Sequence, residues 1–101
     1  MGRGMKGDAS KTAIIRTALE LWHEGGEKAV TARGIGKRVG LSHAGVIYHF
    51  GSVGDMLDAV KREAIESGDK KIIPQLILNN DPLIAGMSQS DRGAWLAAAA
   101  G

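Results

Sequence analysis

Through the first two thirds of the chain, apolar positions recur at helical spacing in four blocks, and glycine separates one block from the next. In the first block Ile14, Ile15, Ala18, Leu19, Leu21 and Trp22 share a broad stripe. Lys11, Arg16, Glu20 and Glu24 lie mostly off it, which predicts a helix from Ser10 that stops at Gly25-Gly26. The second block opens at Val30-Thr31. Thr31 can cap the free amides while Val30 packs on Ile35 across the cap. Ala32, Ile35 and Val39 then form a buried side, Arg33 and Lys37 share another, and Gly40 ends the helix.

The third block repeats this device, with Ser42 as cap and Leu41 placed to pack on Val46. Val46 and Phe50 pair inward, which turns His43, Ala44, Tyr48 and His49 outward along a rod from Ser42 to Phe50. Gly51 breaks the chain again. Ser52 with Asp55 makes an acidic variant of the capping box, and Met56, Leu57, Val60, Ala64 and Ile65 give a fourth helix its apolar face up to Gly68.

Beyond Gly68 the pattern weakens. Ile72–Leu78 fits a short helix with Pro74 in its first turn, or an extended apolar segment. Asn79-Asn80-Asp81-Pro82 reads as a turn able to cap another short helix. Asp91–Ala100 holds good helix formers around Trp95 and Leu96, interrupted by Gly93. No internal repeat or strand pair is evident. The expectation is an all-α chain: a Gly-rich basic flexible arm over residues 1–9, a helical domain over 10–66, and a short helical or irregular tail over 67–101.

Composition narrows the possibilities. With 101 residues, 44 % of them hydrophobic but only 4 % aromatic, the chain can hold one small, mainly aliphatic core. Cysteine is absent, so disulfides and thiolate metal sites are excluded. Apolar runs are too short to cross a bilayer, no signal peptide is evident, and the N-terminus lacks the hydroxyl of a myristoylation signal. A cytoplasmic location is the expectation.

Charge is uneven. Residues 1–50 hold eight Lys/Arg against four Asp/Glu, whereas residues 51–101 hold five against seven. Residues 28–54 contain Lys28, Arg33, Lys37, Arg38, His43 and His49 and no carboxylate. Charge alone would fit an ordinary solvated face. The same window, however, meets the steric demands of a helix-turn-helix. Gly36 supplies the small residue where two helices approach, Gly40 tolerates positive φ in the turn, and Ile35, Val39, Leu41 and Val46 plug the angle between the helices. Such a motif sets its second helix in the major groove of DNA.

Val30-Thr31, Ile35, Gly40-Leu41-Ser42, Ile47-Tyr48-His49-Phe50-Gly51-Ser52 and Met56-Leu57 resemble the DNA-binding domain of the tetracycline-repressor (TetR) family. The likeness runs from about Ile14 to Val60 and includes Trp22 before a glycine. It implies a three-helix DNA-binding head whose third helix enters the groove, a fourth helix leading to a ligand-sensing dimerisation domain, and a homodimer on a palindromic operator. Three positions depart from the family pattern. Ile47 stands where tyrosine is usual, Val53 where lysine is usual, and Gly36 where alanine is usual; the last softens its helix by about 0.8–1.0 kcal/mol. The 33 residues after Gly68 are also too few to enclose a drug-sized pocket of roughly 300–1,000 Å³, so no small-molecule inducer is expected. A natural minimal regulator, a shortened derivative and an interrupted reading frame all fit this length.

The candidate DNA contacts are Thr31, Arg33 and Lys37 on the second helix and Ser42, His43, Ala44, Gly45, Tyr48 and His49 on the third. Thr31 and Ser42 are caps first. Arg33 and Lys37, with Arg38 beside them, are candidates for phosphates. His43 and Ala44 would meet base edges, Ala44 only through apolar contact such as a thymine methyl. Gly45 permits close approach, and Tyr48 and His49 would contact the backbone. Lacking Arg, Asn and Gln, the third helix cannot make two-pronged base contacts. Affinity should therefore rest on phosphates, and specificity on DNA shape and a few weak contacts. Arg3 and Lys6 on the arm could reach a neighbouring groove.

The three histidines do not form a metal set, and Gly34-Ile35-Gly36 has neither the preceding strand nor the Ser/Thr of a nucleotide loop. No metal, cofactor, membrane or catalytic role is expected. The chain reads as a sequence-specific DNA-binding transcription regulator, a repressor occupying an operator. A rival reading is a truncated regulator that pairs with a full-length relative as a protein-interaction module. A fragment with no function of its own would show a frayed tail beyond about residue 68.

Overall fold

The computed structural model describes residues 6–100, with side chains from Ala9 onward. The described residues are helical, without strands, in the order α1 (Lys6–Gly25), a 3₁₀ turn (Glu27–Ala29), α2 (Ala32–Val39), α3 (His43–Tyr48), α4 (Val53–Ser67), α5 (Ile72–Leu78), a 3₁₀ turn (Pro82–Ile84) and α6 (Gln89–Ala100). The chain divides after Val60 into two compact units.

In the first unit α1 packs on α2 and α2 on α3. Ile14, Ala18, Leu21 and Trp22 of α1 are buried, as are Val30, Ala32, Ile35, Val46, Met56 and Val60. The stripe on α1 therefore holds at its centre, while Ile15 and Leu19 stay half-exposed at its margins. The flexible arm expected over residues 1–9 is corrected in its last four residues, because α1 already starts at Lys6. No proline stands between Lys6 and Ala13 to break the helix there. The rest of that arm, Arg3 included, lies outside the described residues.

The third helix is shorter than the expected rod. It ends at Tyr48, and the Ile47 carbonyl accepts the amides of both Phe50 and Gly51 at 2.9 and 2.8 Å. With this tight closure and Gly51 at φ 100°, Phe50 is half-buried, short of the fully inward position expected. Ser52 accepts the Asp55 amide at 3.0 Å and so starts α4 as expected.

The second unit is ordered by polar groups as much as by its aliphatic core of Ala64, Ile72, Ile73, Leu76, Ile77 and Ile84. Of the two forms open to Ile72–Leu78, the helix is adopted. Asp69 accepts the amides of Lys71 and Ile72, each at 2.9 Å, and Pro74 sits in the first turn, where its missing amide would have no partner. Asn80 closes α5 in the left-handed region (φ 56°), which asparagine tolerates better than most residues.

Asp81 caps the second 3₁₀ turn through the Leu83 amide, and Ser88 caps α6 through the Asp91 amide. Gly93 does not interrupt α6, contrary to the sequence pattern. A single exposed glycine costs only about 1 kcal/mol among good helix formers. Arg92 clasps the preceding loop by donating to the carbonyls of Met87 and Ile84, both at 3.0 Å.

Lys61 Nζ lies 2.8 Å from Asp81 Oδ2, with the side chains only 15 % and 11 % exposed. Burial by itself would raise the Asp81 carboxyl. The hydrogen bonds from Lys61 and Leu83, with the Lys61 charge, outweigh it and hold the carboxyl below its ordinary range. A depressed folded-state pKa stabilises fully above the unfolded value and fades as pH falls through the folded one. We therefore expect Asp81→Asn to lower the melting temperature of the chain at neutral pH. The gap to wild type should shrink below about pH 4. A gap independent of pH would show that the ion pair contributes nothing.

Candidate nucleic-acid interface

The turn between α2 and α3 is closed by backbone. Gly40 stands in the left-handed region (φ 79°), and the Gly36 carbonyl accepts the amides of Gly40 at 2.8 Å and Leu41 at 2.9 Å. A side chain at Gly36 would overlap the Leu41 carbonyl oxygen and lie 3.2 Å from its carbon. Glycine at this position is thus a requirement of this close approach, beyond the softening read from the sequence.

The two helices that follow start alike. Thr31 Oγ1 accepts the Gly34 amide and Ser42 Oγ accepts the Gly45 amide, each at 3.0 Å. Each cap therefore acts on a glycine amide, and an added Cβ there would lie 3.0 Å from Thr31 Oγ1 or 3.2 Å from Ser42 Oγ. A Cβ added at Gly45 would face its own cap and Leu41. Both hydroxyls spend a lone pair on the cap and keep a proton to donate.

Thr31, Arg33, Lys37, Ser42, His43 and Ala44 are exposed, and Tyr48 is 83 % exposed. His49 is half-buried in the turn after α3, its ring edge-on to Tyr48 at 5.8 Å. Arg33 and Lys37 enter no ion pair among the described residues.

Arg38 differs. Its guanidinium donates twice to Glu24, at 2.7 and 3.0 Å, and lies 4.0 Å from Glu20. The hydrogen bond to Arg38 holds the Glu24 carboxyl below its usual range. The window that is free of acids in sequence is therefore met in space by two carboxylates of α1, and Arg38 serves the α1–α2 contact. A pattern of residues along the chain could not reveal this, since the partners are 14 positions apart on different helices. We expect Arg38→Ala to weaken duplex binding less than Arg33→Ala in parallel anisotropy titrations. An equal or larger loss would mean that Arg38 exchanges Glu24 for DNA.

No metal-holding group of His, Asp and Glu occurs among the described residues, and no described helix is long and apolar enough to cross a membrane. Open surface grooves run along α1 at Arg16, Leu19 and His23, and between Pro74, Leu78 and Ala98 in the second unit.

No curated protein and no solved structure matches the chain. The family model for the N-terminal domain of bacterial regulatory proteins of the tetR family matches residues 14–60, from the first buried isoleucine of α1 to the first half of α4. The bundle of α1, α2 and α3 with its glycine-closed turn is therefore an N-terminal helix-turn-helix domain of the tetR family of DNA-binding transcription regulators.

Proposed function

We propose that the chain is a sequence-specific DNA-binding regulator that represses by occupying an operator, with α3 laid in the major groove. The observation that carries this reading is the exposed edge of the helix pair. It presents two capping hydroxyls (Thr31 and Ser42), two cations (Arg33 and Lys37) that meet no carboxylate among the described residues, and the outward Tyr48. Thr31, Arg33, Lys37, Tyr48 and His49 would position the domain on phosphates, while Ser42, His43, Ala44 and Gly45 would lie nearest the base edges. A dimer on a palindrome follows from the usual habit of the family, and a cytoplasmic location fits a regulator that must reach DNA.

Titrating the chain into a duplex library at several salt concentrations tests the reading. Selected sequences should emerge, with affinity falling steeply as salt rises. Arg33→Ala should weaken all duplexes alike, whereas changes at His43 or Ala44 should alter which duplexes are preferred. Equal, unselective effects from both would contradict the placement of α3. The rival reading, pairing with a longer relative, draws on Leu78, which is 73 % exposed in the second unit. It predicts protein complexes but no duplex retention even at low salt.

A further inference from the structure

A helix seated in a major groove about 12 Å wide has a phosphate strand along each lip. Arg33 and Lys37 both belong to α2, whereas residues 48–53, which close α3 and lead into α4, contain no lysine or arginine. The fold brings one there from far away in sequence. Lys11 Nζ, on α1, lies 6.0 Å from the centroid of the Phe50 ring. The rings of Tyr48 and His49, just before Phe50, meet edge to face.

The two cations that the fold repositions are held in opposite ways. Arg38 sits inside the acid-free window, yet Glu24 neutralises it. Lys11 sits outside that window, is exposed, and meets an aromatic face and no carboxylate among the described residues. A ring face orients an ammonium through its quadrupole but carries no net charge to cancel it. Lys11 is therefore placed near Phe50 with no carboxylate of the described residues to cancel its charge.

We propose that Lys11 binds a backbone phosphate on the lip beside the C-terminal end of α3, next to Tyr48, so that α1 is part of the DNA interface. This rests on the DNA-binding reading above. It assigns the two lips to different helices: α2 serves one through Arg33 and Lys37, and α1 serves the other through Lys11.

The test uses the full chain and a duplex that it selects from a random library, with affinity measured by fluorescence anisotropy across a salt series. Lys11→Gln should weaken binding about three- to tenfold at ~0.1 M salt and reduce the log–log salt slope by about 0.9, the loss of one phosphate contact. Lys11→Arg should keep both values near wild type. An unchanged slope in Lys11→Gln, while Arg33→Ala reduces its own, overturns the role of Lys11 and leaves the DNA reading standing. Failure of the wild-type chain to hold any duplex at low salt overturns the DNA reading, and the role of Lys11 with it.

Discussion

Trp22→Ala should remove most of the stability of the first unit and weaken duplex retention. Trp22 is fully buried near the end of α1, together with Ile14, Ala18 and Ile35. Only 4 % of the chain is aromatic, so no second ring of that size can fill the gap. Truncating a buried tryptophan costs about 3–5 kcal/mol, through lost transfer energy and the cavity left behind. A unit ending at Val60 has roughly 3–9 kcal/mol of stability in total, so the loss removes most of it. Thermal melting followed by far-UV circular dichroism is the check. A cooperative transition within about 1 kcal/mol of wild type would show that α1 is not what braces the helix pair.

Gly36→Val should cost about 3 kcal/mol and reduce duplex affinity beyond the loss of folded chain. Two terms compete at this position. Replacing glycine in a helix gains up to about 1 kcal/mol for alanine and less for β-branched valine. Against this stands the overlap with the Leu41 carbonyl, which is backbone and cannot rotate aside. Overpacking of this kind costs about 1–3 kcal/mol for small additions, so the steric term prevails even for Gly36→Ala. The functional effect follows from what Leu41 carries. It directly precedes Ser42, the cap of α3, so moving its carbonyl moves His43 and Ala44 as well. Gly36→Ala should therefore shift duplex preference although Gly36 itself is buried. Unchanged preference together with higher stability would mean that the turn yields freely.

Much of the head was legible along the chain because its signals are local. A capping hydroxyl reaches an amide three residues on, and a glycine adopts positive φ by virtue of lacking a side chain. Thr31, Ser42, Ser52 and Gly40 therefore sit in the structure as their neighbourhoods dictate. Phe50 is only half-buried because the helix ends at Tyr48, where the double use of the Ile47 carbonyl tightens the chain. Gly93 lies within α6, since a residue that weakens a helix need not end one. The tail was least legible, because its order comes from Arg92 on carbonyls and from Lys61 on Asp81, contacts that follow no period.

The sequence by itself determined the caps of α2, α3 and α4, which faces are apolar, and that a close turn at Gly40 joins α2 to α3. Those outcomes depend on interactions within one turn of the chain. Only the tertiary structure decided which cations stay available. Arg38 and Lys11 have the same charge, yet one was brought against Glu24 and the other against the Phe50 ring. Charge acts through space, and the packing of α1 on its neighbours sets the distances that matter.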